Sequence, residues 1–152
     1  MAYAYDKAKY HYESVEQQGL SEDHAANHTV FFLRWLIEHD LMSELFISES
    51  GAMLQDFREG SATIHEVYQS WDCCLVDDML SEEGNAFAKS YFEFETGRYI
   101  RDYIATLQGN LPTEFHVDYT EENYRKMRQV IDRRFAEWKN PKQNWWPFSK
   151  RQ

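Results

Sequence analysis

The run Val30–Ile37, read as Val-Phe-Phe-Leu-Arg-Trp-Leu-Ile, constrains the fold more than any other stretch of the chain. Seven of its eight residues are apolar, and it lies within a segment from Ser21 to Leu41 that holds no proline or glycine. A strand of that length is rarer than a helix, so a helix over 21–40 is predicted. At about 100° per residue, Phe31, Phe32, Leu33, Trp35, Leu36 and Ile37 point in nearly every direction. A helix that is apolar all round has to be enclosed by others. Only Arg34 needs a polar outlet, and Glu38 stands one turn later to supply it.

The flanking segments read as helices that can do the enclosing. Ala8, Tyr12 and Val15 recur at helical spacing after Asp6, which reads as an N-cap, until Gly19. Ser21 reads as the cap of the central helix. Met42 to Arg58 is helical with a break expected at Ser50-Gly51, and Ser61 reads as the cap of a helix reaching Trp71. Ala86, Phe87, Tyr91 and Phe94 share a helical face, Thr96-Gly97 marks a break, and Tyr99 to Leu107 continues the period to Gly109. Thr120 caps a last helix with an apolar seam of Tyr124, Met127, Ile131, Phe135 and Trp138, ended by Asn140-Pro141. The expected fold is therefore all-α, a single-domain bundle of about five to seven helices over residues 1–140 around the buried helix 21–40. A C-terminal tail follows over 141–152. Its Trp145-Trp146-Pro147-Phe148 run is apolar enough to need cover from the body or from a partner.

Charge divides the chain. Residues 1–120 carry 22 acids against 7 Lys or Arg, a balance of −15, while 121–152 carry 4 acids against 9 bases, a balance of +5. So acidic a body disfavours nucleic acid and favours encounter with a basic partner. Asp72, Asp77, Asp78, Glu82 and Glu83 follow one another with no basic residue between them. Such a run is either a solvated face or a set of steering charges, with Trp71 beside it as an anchor. No membrane-spanning stretch and no leader-like start are visible, and the adjacent Cys73 and Cys74 make no disulfide framework, so a cytoplasmic protein with reduced thiols is expected.

Catalytic signatures are sparse. No Gly-x-Ser-x-Gly elbow, phosphate-binding glycine loop or dinucleotide fingerprint occurs, and no cofactor is expected. His24 and His28 stand one helical turn apart, but residue 25 is Ala where a zinc hydrolase would carry its glutamate, so no metal set is assigned. Neither cysteine has a basic sequence neighbour to favour thiolate, and no catalytic residue is named.

Several stretches resemble an uncharacterised family of small bacterial single-domain proteins, a domain of unknown function. They are Tyr5-Asp6-Lys7-Ala8-Lys9-Tyr10-His11-Tyr12-Glu13, His28-Thr29, Phe32 to Ile37, Glu83 to Ala88, Tyr91-Phe92, and Asp132-Arg133-Arg134-Phe135-Ala136-Glu137-Trp138. The resemblance implies no catalytic residues. In size and charge such proteins are similar to immunity proteins that neutralise toxins, which leads to the first functional expectation: a protein that occludes a basic toxin or effector by direct contact through Trp71, Asp72, Asp77, Asp78, Glu82 and Glu83. The alternative is a small enzyme or ligand- or metal-binding protein with a pocket walled by His11, His24, His28 and Tyr91. A homo-oligomer joined through the C-terminal seam is a third.

Overall fold

The structure is a computed structural model that describes residues 3–141; the Trp145–Phe148 run and most of the expected tail lie outside them. In chain order the elements are β1 (Ala4–Lys7), a 3₁₀ turn (Ala8–His11), α1 (Tyr12–Gln17), α2 (Asp23–Glu38), α3 (Glu44–Glu59), α4 (Ile64–Gln69), β2 (Cys74–Val76), a second 3₁₀ turn (Asp77–Met79), α5 (Glu82–Tyr91), α6 (Tyr99–Tyr103), a π-helical continuation (Ile104–Gln108), a third 3₁₀ turn (Glu114–His116) and α7 (Glu121–Lys139). The fold is helical, as expected, with a two-stranded antiparallel sheet added.

Helix α2 is the enclosed rod its composition demands. Every residue from Ala25 to Ile37 is buried except Arg34. Helices α4 and α7 both pack on it, α3 packs on α4, and α5 packs on α7. Arg34 leaves the core by the predicted route: Nε donates to Glu38 at 3.0 Å, and the remaining nitrogens reach Glu121 and Tyr119. Around Phe32 and Trp35 the core is built of rings, with Phe92 stacked on Phe32 at 4.7 Å and Phe135 edge-on to Trp35 at 5.2 Å. The Trp35 indole N–H donates to Asp132 at 2.8 Å, so the one polar atom of that ring is satisfied.

Local capping departs from the sequence reading in several places. Ser21 makes no side-chain cap on α2. Helix α3 runs unbroken through Ser50-Gly51, capped by Ser43 and ended by the left-handed Gly60. One interior glycine costs only about 1 kcal/mol, less than the burial of Phe46 and Leu54 on the same helix returns. Thr63, not Ser61, caps α4, in a reciprocal capping box with Glu66. Phe94, expected on the face of Phe87 and Tyr91, lies in the turn beyond the end of α5.

The largest difference is at the start. Asp6 caps no helix; it belongs to β1, which pairs with β2. The register runs Ala4 to Val76 and then Asp6 to Leu75, so β1 carries one extra residue at Tyr5. In a regular strand neighbouring side chains face opposite ways. The slip at Tyr5 allows Tyr5 and Asp6, adjacent in sequence, both to be buried.

Candidate functional site

Asp6 is a fully buried carboxylate that three donors surround. His11 Nε2 lies 2.8 Å from Oδ1, His28 Nε2 lies 3.0 Å from Oδ2, and the Thr29 hydroxyl donates to Oδ2 at 2.5 Å. Three elements converge to make this arrangement. The slipped register of β1 aims Asp6 inward, the following 3₁₀ turn, whose Ala8 N–H is held by the Cys73 carbonyl at 3.0 Å, presents His11, and α2 contributes His28 and Thr29 from one turn. Burial by itself would raise the Asp6 carboxyl, but the hydrogen bonds and charge of His11 and His28 outweigh it and hold the group well below the ordinary carboxylate range. Asp6 is thus an interior anion, and the imidazole N–H groups donate to it.

The two imidazoles meet edge to face at 4.8 Å. Phe94 and Phe115 border both rings, and Tyr103, whose buried hydroxyl has no hydrogen-bond partner among the described residues, lies 6.4 Å from His28. His28 is 3% exposed, whereas the His11 side chain is 18% exposed, so the cluster meets solvent from the His11 side.

The expected pocket of His11, His24, His28 and Tyr91 is only half assembled. His11 and His28 share Asp6. His24 instead holds the Phe115 carbonyl at 2.6 Å and faces Asp118 at 3.6 Å. Tyr91 is committed to Asp102, to which its hydroxyl donates at 2.7 Å. The residues that sequence reasoning missed are Asp6 and Thr29. A signal was present, since Asp6, His11, His28 and Thr29 all fall within the stretches that carry the family resemblance.

The acidic run is dispersed over several elements. Asp77 is half-buried and its carboxylate accepts the Tyr3 N–H at 2.9 Å. Asp78, Glu82 and Glu83 are exposed, and Glu83 pairs with Lys139 at 2.7 Å. The stretch between them, expected to be a solvated face, contains β2 and buries Leu75, Met79 and Leu80. Trp71 and Asp72 line a cleft of about 580 Å³ with Glu49, Ser50, Met53 and Asp56. There the Trp71 ring stacks on Phe46 at 5.2 Å and its N–H donates to Ser50 at 2.7 Å, fixing it on one face and one edge. Glu49, Asp56 and Asp72 are exposed, and no ion pair among the described residues involves them. Burial foremost, with Asp72 adding to it and Lys7 opposing it at Cys74, pushes both the Cys73 and Cys74 thiols up, which disfavours the thiolate at each.

A family model described as a domain of unknown function (DUF7832) matches residues 4–117. The chain belongs to that family. No curated protein and no solved structure matches it. The DUF7832 span takes in the Asp6 cluster and the Trp71 cleft and stops before α7. The resembling stretch 132–138 therefore lies outside the match, yet it fastens α7 to it: Asp132 accepts from Trp35, Arg134 forms a two-pronged bond to Asp102, and Phe135 and Trp138 pack on Phe87 at 5.0 and 5.4 Å. Among the described residues no helix is long and apolar enough to cross a membrane.

Proposed function

We propose that this DUF7832 protein is an immunity-type binding protein that neutralises a basic toxin or effector by direct contact, with the Trp71 cleft as its anchor point. The observation that carries the reading is the combination in that cleft of an immobilised indole with three exposed carboxylates and no cation on its lining. A partner's arginine or lysine laid on the indole gains a cation–π contact and meets Asp72, Asp56 and Glu49 at its charged end. Because Phe46 and Ser50 already hold the ring, little freedom is lost on binding, which favours affinity. The remaining acids on α3 and at the start of α5 add long-range attraction and raise the rate of encounter.

The test is co-expression with the effector encoded beside the protein's own gene in the source genome. Protection of the cells is expected, with a complex that survives purification. Replacing Glu49 and Asp56 by lysine, both exposed on α3, should leave the melting curve in place and abolish protection. Trp71→Ala should weaken the isolated complex by about 2 kcal/mol or more, roughly thirtyfold in Kd. Absence of protection by the native protein, or full protection by the Glu49→Lys/Asp56→Lys variant, would refute the reading.

A further inference from the structure

We infer that Asp6, His11 and His28 form a three-ligand site for a divalent transition-metal ion of the zinc class. Their ligand atoms all lie within 4.8 Å of one another, and no other group of three metal-binding side chains converges in this way among the described residues. Around an ion with bonds of about 2.0–2.1 Å, neighbouring donor atoms stand roughly 3 Å apart. The 2.8 and 3.0 Å separations between the Asp6 oxygens and the two Nε2 atoms are of that size.

The donor set decides the kind of ion. Two imidazoles and one carboxylate suit zinc, cobalt and ferrous iron; calcium and magnesium take shells of oxygen, and cuprous copper takes sulfur. Three protein ligands also leave a coordination position open, as in sites that bind a water or substrate rather than in closed structural ones. Thr29 supplies the outer support such sites use, since its hydroxyl fixes the Asp6 carboxylate by donating to Oδ2 at 2.5 Å. Phe94, Phe115 and Tyr103 wall the rings with apolar surface, which strengthens attraction between a cation and the Asp6 anion, and the partly exposed His11 side gives an ion its way in. Binding requires each ring to present a bare Nε2, so its proton moves to Nδ1 or leaves. The site shares no residue with the Trp71 cleft and is independent of any protein partner.

The test is a titration of the full chain, stripped with a chelator, using Co²⁺ as the visible probe and Zn²⁺ as competitor. One equivalent of Co²⁺ at submillimolar protein should bring up ligand-field absorption bands, and one equivalent of Zn²⁺ should remove them. His11→Gln, at the rim, keeps an amide donor for Asp6 and so preserves the fold, which circular dichroism checks; it should weaken cobalt binding at least tenfold. His24→Gln, outside the cluster, should leave binding as it was. No saturable signal at one equivalent, unchanged binding in a folded His11→Gln protein, or equal losses in the His24 and His11 variants would each overturn the assignment.

Discussion

Gly84 shows how much one missing atom can decide. It lies in the first turn of α5, where a Cβ would sit 2.5 Å from the Leu41 carbonyl oxygen, a backbone atom that cannot swing aside. The start of α5 is pinned there, because Ser81 N–H donates to that same oxygen at 2.8 Å and Ser81 Oγ caps Gly84 N–H at 3.0 Å. Alanine in place of an exposed helical glycine usually gains about 1 kcal/mol. Gly84→Ala should instead lose about 1–3 kcal/mol, read as a lower urea midpoint with unchanged slope; a rise in the midpoint would contradict the close approach. Its neighbour Asn85 accepts the Tyr5 hydroxyl at 2.6 Å and donates to the Asp77 and Leu80 carbonyls, which explains why a Gly-Asn pair belongs in that stretch. Roles of this sort are hidden in a sequence because the partner is far along the chain. Asp6 stands before a run at helical spacing and so reads as a cap; that its carboxylate is buried follows only from a register slip and from residues of α2.

At the scale of elements, local and non-local information separate cleanly. Helix α2 is legible because its evidence lies within itself, and α7 is legible from Thr120 to Asn140 for the same reason. Strands of four and three residues, paired across most of the DUF7832 span, leave no periodic trace, and neither did the decision of α3 to continue through Gly51. What binds the C-terminal elements is a junction of three: Asp102 of α6 takes both prongs of Arg134 from α7, at 2.9 and 3.1 Å, and the hydroxyl of Tyr91 at the end of α5. Burial would raise the Asp102 carboxyl, but the hydrogen bonds from Arg134 and Tyr91 prevail and lower it. A carboxylate lowered on folding stabilises the native state above its unfolded value, about pH 3.9, and loses that contribution as pH falls toward the folded value. Asp102→Asn should cost about 1.5–3 kcal/mol at pH 7, and the gap between native and variant unfolding energies should close as the pH drops below about 4. A gap that stays constant to pH 3 would exclude the junction as its source.

For the molecule as a whole the controlling quantity is charge. The net value is −10, and three of the cations of α7 are already matched, Lys126 by Glu122, Arg134 by Asp102 and Glu137, and Lys139 by Glu83. Like charges that remain unpaired repel one another across the compact state, and salt screens that repulsion within about 10 Å at 0.1 M. Raising ionic strength from about 20 to 200 mM should therefore lift Tm by about 2–4 °C, the equivalent of about 1 kcal/mol for a chain of this size. A Tm that falls would mean that attractive pairs such as Arg34–Glu121 outweigh the repulsion. The sign of this charge was readable from composition and Trp71 with Asp72 from their place in the chain, while the arrival of Glu49 and Asp56 of α3 at the same cleft was not.

Tyr3 and Asp77 hydrogen-bond to each other across 74 residues. During synthesis the strand that carries Asp6 therefore leaves the ribosome long before the strand that receives it. A nascent chain that stops short of β2 holds Asp6 together with its donors His11, His28 and Thr29 but without the strand that pairs beside it. Residues Ala4–Lys7 thus wait for Cys74–Val76, while the buried rings of α5 to α7 are still to be made.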